Sequence, residues 1–160
     1  MNFLPFSNYL HKSRGFNFLL EQLRRNVHHL VYGVTGSQKS LLAALLSKEE
    51  QRPLLYLVES PQRGKEVFDD LLNLLPDEPV QYFPALDLLP FEVIAQSRET
   101  QQKRLEVLQA LAQGKRSLII TTLEALSKTL MDPAVFRQGI IFLKTGQRVQ
   151  VDELVASLVG

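Results

Sequence analysis

The string with the clearest chemical meaning is residues 33–40, GVTGSQKS. It is close to G-x-x-x-x-G-K-[ST], in which consecutive backbone N–H groups wrap phosphates, the lysine reaches the β/γ-phosphates and the hydroxyl holds Mg²⁺. The pattern holds at Gly33, Lys39 and Ser40 and fails at Gln38, where the final glycine belongs. Glycine there lets the backbone approach a phosphate without a Cβ in the way. A glutamine puts an amide-bearing side chain into or beside the cradle. Gly33, Gly36, Ser37, Gln38, Lys39 and Ser40 are therefore the candidate nucleotide- or anion-binding set, as a vestigial phosphate loop. Lys39 and Ser40 can still receive an anion at a helix start, but tight nucleotide binding is not expected.

Hydrolysis asks for more: a carboxylate pair on a later strand that holds Mg²⁺ and positions water. The apolar runs at 118–122 (LIITT) and 140–143 (IIFL) are followed by neither Asp-Glu nor Asp-Asp. Asp69 and Asp70 fall inside a stretch of helical period and read as solvent-facing acids. No arginine finger stands out. His28 and His29 adjoin a predicted strand, where neighbours point to opposite faces and cannot share a metal. His11 is the third histidine and there is no cysteine, so no metal site is expected. Ser7, Ser13 and Ser37 lack a nearby His-and-acid arrangement. Phe3, Phe6, Tyr9, Phe16 and Phe18 read as core or docking aromatics before base-stacking ones. No catalytic residue is assigned.

The elements that would position the loop follow from periodicity. Residues 27–32 (VHHLVY), 54–59 (LLYLVE), 80–83 (VQYF), 118–122 and 140–143 read as strands. LLYLVE and LIITT are apolar without strict alternation, as strands covered on both faces are. Helical stripes lie between them: Phe16, Leu19, Leu20 and Leu23; residues 40–48; Val67, Leu71, Leu74 and Leu75; Leu105, Leu108, Leu111 and Ala112; and residues 123–131, stopped at Asp132-Pro133. Alternating strands and helices predict an α/β fold, a three-layer parallel sheet with helices on both faces. Residues 84–97 (PALDLLPFEVIAQS), with two prolines, read as a loop over the carboxyl end of the sheet, where open α/β folds place their sites. Residues 144–160 offer a turn at Thr145-Gly146, a strand near 148–151 and a helix from Asp152. They read either as the truncated start of a second small domain or as a helix folding back on the first.

The 160 residues are 45% hydrophobic and 22% charged, an ordinary globular composition that excludes a disordered or fibrous chain. The apolar runs at 41–46 and 54–58 fall well short of the ~20 residues a membrane helix needs. The N-terminus does not read as a secretory signal, and a cytoplasmic protein is the simplest expectation. Net charge is +1, but it alternates: +4 over residues 1–52, −6 over 53–97, +5 over 98–148 and −2 over the remainder. That is not the continuous basic stripe of a dedicated nucleic-acid binder. Arg24-Arg25 and Lys103-Arg104 are the segments through which DNA would be held if it were.

Taken in order, GVTGSQKS, PLLYLVESPQRGKEVFDDL, VQYFPALDLLPFE, SRETQQKRLEVLQAL, LIITTLEALSKTL and LKTGQRVQVDELVASLV resemble the N-terminus of the bacterial transcription-repair coupling factors (Mfd). The resemblance runs from about Phe16 to Gly160, and FPALDLLPFE and LKTGQRVQVDELV carry most of its specificity. The same region is similar to the first motor lobe of the excision-repair protein UvrB, whose phosphate loop is intact and whose long tyrosine-rich hairpin is absent here. The resemblance implies a RecA-like P-loop lobe, degenerate, over residues 1–143, and the beginning of an inserted UvrA-interaction domain over 144–160. It implies a non-catalytic module serving protein interaction and autoinhibition, with no cofactor of its own. ATP and magnesium would belong to the parent's motor, an ATP-dependent DNA translocase that displaces stalled RNA polymerase on duplex DNA. The implied partners are UvrA, through a surface mostly outside this chain, and the parent's other domains; no membrane is implied. The competing expectation is an active ATPase or helicase lobe that binds ATP and DNA.

Overall fold

The computed structural model describes residues 12–23, 25, 28–50, 52–86 and 93–159. Three parallel strands, β1 (Leu54–Val58), β2 (Val80–Phe83) and β3 (Leu118–Thr122), form one sheet in the order β1-β3-β2. Leu54 pairs with Leu118 and Val58 with Thr122 on one side, and Val80 pairs with Leu118 and Phe83 with Thr121 on the other. β3 is central and buried at every residue, which explains its unbroken apolar run. The expected α/β architecture is present.

Among the described residues the helices are α1 (Arg14–Leu23), α2 (Ser37–Glu49), α3 (Pro61–Leu74), α4 (Val93–Ala112), α5 (Leu123–Leu126), α6 (Pro133–Gln138) and α7 (Val151–Val159). α3 starts where Ser60 accepts a hydrogen bond from the Arg63 amide and Pro61 takes the first turn. Its stripe of Val67, Leu71 and Leu75 packs with Ala43 and Ala44 of α2 against Val58, Val80, Leu118 and Ile120 on one sheet face. On the other face Val107 and Leu108 of α4 meet Phe83, Ile119 and Ala125. A smaller cluster joins α1 to α2 through Phe16 and Leu45.

Several expectations are corrected. Residues 28–32 form no strand; Leu30, Val31 and Tyr32 stand exposed, Tyr32 at 82%. Residues 140–143 and 148–150 are likewise outside any strand. Apolarity alone does not make a strand, because its backbone groups need a partner edge. The fifth helical stretch breaks after Leu126 and resumes at Pro133, where Asp132 accepts from the Ala134 and Val135 amides. The expected loop at 84–97 is helical from Val93, while residues 87–92 lie outside the described residues. On α4 Arg104 and Val107 are buried and Leu108 is half-buried; of the expected stripe Leu108 packs inward, while Leu105 and Leu111 are exposed. The turn at Thr145-Gly146 and the helix behind it are present, with Gly146 at φ 83°.

Two compact units divide the chain, one ending at Leu130 and one starting at Met131. No described helix is long and apolar enough to cross a membrane.

Candidate functional site

The loop at 33–40 leads into α2 from residues 28–32, which belong to no helix or strand. Gly33 and Gly36 both have positive φ, 81° and 51°. A Cβ at either would meet nothing within 4 Å, so the backbone conformation alone calls for glycine there. Gly36 is the N-cap of α2, and no side chain caps the helix. Ser37, Gln38 and Lys39 form its exposed first turn, and Ser40 turns inward with no exposed surface. The structure thus brings the candidate residues together at one helix start.

Their hydrogen bonds are directed inward. The Thr35 amide donates to Oε1 of Gln38 at 3.1 Å. The Gln38 amide donates to the Thr35 carbonyl oxygen at 3.1 Å, and the Lys39 amide to that of Gly36 at 3.2 Å. A phosphate cradle works by offering such N–H groups to an anion, and here three of them already have acceptors within the loop. Gln38 therefore fills the role of an acceptor as well as removing a glycine.

Ser40 Oγ donates to Oδ2 of Asp70 on α3 at 3.2 Å. Asp70 is half-buried, unlike its exposed neighbour Asp69, so the reading of both as solvent-facing acids fails for Asp70. Its charge also reaches Tyr56 on β1. Burial is the main cause that raises the Tyr56 phenol's pKa above its usual value; Arg63 opposes the shift, and Glu59 and Asp70 add to it. Helical periodicity places Asp70 beside Asp69, and only tertiary packing shows which of the two faces α2.

Arg104 was also invisible as a buried group. Its guanidinium donates to the Pro84 carbonyl oxygen at 2.7 Å and to that of Ala125 at 3.2 Å, and lies 4.0 Å from the Phe83 ring centre. Burial pulls its pKa down. It fastens α4 to the ends of β2 and α5, and it is withdrawn from any basic surface; Lys103 beside it pairs with Glu99 at 2.6 Å. Arg24 lies outside the described residues, as do Phe3, Phe6 and Tyr9. Among the described residues no three His, Cys, Asp or Glu side chains are grouped to hold a metal ion.

A cleft of about 790 Å³ runs along β2 between α3 and α4, lined by Lys65, Phe68, Tyr82, Lys103 and Val107 among others. None of the residues of the 33–40 loop lines it.

Fold and loop together define a class: a small parallel α/β unit with a glycine-containing turn at a helix start, closed by backbone bonds and the Gln38 side chain. No protein-family model matches the chain. It is similar along most of its length to bacterial transcription-repair-coupling factors. That of Bacillus subtilis (strain 168) is 24% identical over 152 residues, covering 94% of this chain and 13% of the relative. That of Staphylococcus aureus (strain NCTC 8325 / PS 47) is 28% identical over 141 residues, covering 88% and 12%. The Staphylococcus epidermidis factor is 27% identical over 155 residues, covering 96% and 13%. The chain therefore spans about an eighth of the length of the curated relatives it matches.

Proposed function

We propose that this chain is the N-terminal, UvrB-like module of a transcription-repair coupling factor and that it works without nucleotide, as a surface for other proteins. Its roles in this reading are recruitment and autoinhibition. Catalysis belongs to a motor elsewhere in the parent, an ATP-dependent DNA translocase that displaces stalled RNA polymerase in the cytoplasm. UvrA is the partner, docking mainly on the domain that begins near Lys144. Intramolecular contacts with the parent's other domains keep the module silent.

The observation that carries the reading is the Gln38 side chain, whose oxygen holds the Thr35 amide that a phosphate would otherwise engage. The rival, an active ATPase lobe, requires Thr35, Gln38 and Lys39 to exchange their internal acceptors for phosphate oxygens and Ser40 to leave the interior. Each exchange gives up a bond already made.

The test is Lys39→Ala in the full-length coupling factor. A non-catalytic module leaves DNA-stimulated ATPase within about twofold of the parent, because no phosphate charge is neutralised at this lysine. A fall of about a hundredfold, the scale of losing a direct phosphate contact, would overturn the reading.

A further inference from the structure

The loop is closed at a second point, and that closure is independent of Gln38. In G-x-x-x-x-G-K-[ST] the hydroxyl after the lysine is a ligand of the Mg²⁺ that accompanies the phosphates. Ser40 stands at that position with no exposed surface, its Oγ donating to Asp70 Oδ2 at 3.2 Å. Ala43 and Ala44, next along α2, pack into the same core cluster as Val67 and Leu71 of α3. The hydroxyl is thus held in the seam between two packed helices. A cation would have to reach an oxygen that solvent does not reach, and the residues present do not fit a metal-bound triphosphate.

We infer that Asp70 is a positioning residue that keeps Ser40 turned into the α2–α3 seam and so excludes a metal–triphosphate from the loop even when Gln38 is removed. The inference rests on the reading of the chain as a nucleotide-free module and supplies its second cause. A carboxylate beside a serine hydroxyl has an opposite possible use, as a pair that holds a cation. The two uses differ in sign when Asp70 is removed.

The experiment is calorimetric titration of the 160-residue chain with ATP, in Mg²⁺ and in EDTA, across four proteins: the unaltered chain, Gln38→Gly, Gln38→Gly/Asp70→Ala and Gln38→Gly/Asp70→Asn. The unaltered chain shows no binding. Gln38→Gly binds ATP weakly, with affinities in Mg²⁺ and EDTA within about twofold, since only the Thr35 N–H, which the Gln38 side chain had engaged, has been released. Gln38→Gly/Asp70→Ala binds about tenfold or more tightly in Mg²⁺ than in EDTA, because the hydroxyl is freed for the metal. Asparagine keeps an acceptor for Ser40, so Gln38→Gly/Asp70→Asn stays indifferent to Mg²⁺.

A tenfold Mg²⁺ effect in Gln38→Gly alone, or in the asparagine variant, overturns the inference while leaving the nucleotide-free reading of the natural chain intact. Mg²⁺ indifference of a folded alanine double variant overturns it as well. Should that variant fail to fold, the Gln38→Gly and asparagine arms still decide. Tight Mg-ATP binding by the unaltered chain would instead remove the nucleotide-free reading itself.

Discussion

Ser40 and Asp70 make one hydrogen bond, yet the two partners are not equivalent. Removing the hydroxyl by Ser40→Ala leaves Asp70, which is half-buried and can recover water; the loss should be about 1 kcal/mol, the usual net worth of such a bond. Removing the acceptor by Asp70→Ala strands a wholly buried hydroxyl and should cost more, about 1–3 kcal/mol. Urea midpoints at constant slope would show that order, and the reverse order would mean that the pair is not what holds Ser40. Tyr56, close enough to feel Asp70, gives a pH signature. Its folded pKa is raised above 10.0, so its contribution is complete below pH 10 and disappears as pH rises through the folded value. Tyr56→Phe should flatten the alkaline limb of a stability–pH profile; an unchanged limb would place its cause elsewhere. In the sequence, Gln38 was legible because it breaks a fixed spacing. Asp70 was not, because its partner lies thirty residues away on another helix.

α3 shows how much an element's neighbours alter its own preferences. Gly64 sits inside the helix, where alanine normally gains close to 1 kcal/mol. A Cβ there would lie 2.8 Å from Cε2 of Tyr82, so the ring must move. Gly64→Ala should therefore destabilise the chain, by about 1–3 kcal/mol from overpacking less the helical gain. With Tyr82→Leu in place the same change should become neutral or stabilising. If Gly64→Ala raised the thermal midpoint of the natural chain, the close approach would not be a constraint. The α3 stripe was readable from period alone because every residue in it is apolar. The α4 stripe is legible only at Leu108, because the buried face also includes Arg104, a cation that pattern reading assigns to solvent. Two carbonyl oxygens and the Phe83 ring make that burial tolerable, and none of them is apparent in the helix's own sequence.

At the scale of the whole molecule, the α/β class was legible because three strands alternate with well-patterned helices. The number of strands was not. Residues 28–32 and 140–143 carry a strand's composition but remain outside the sheet, and composition says nothing about whether an edge is available to pair with. One further consequence of the three-strand arrangement is that Leu55 and Leu57 of β1 are half exposed, while β3 is covered on both faces.

The proposed module holds its phosphate-loop-like turn closed with bonds of its own and would take no nucleotide. Titration of the natural chain with Mg-ATP tests it most directly. No measurable heat is expected at sub-millimolar nucleotide, weaker than about −4 kcal/mol of binding free energy. A dissociation constant in the low micromolar range, about −8 kcal/mol, would contradict it.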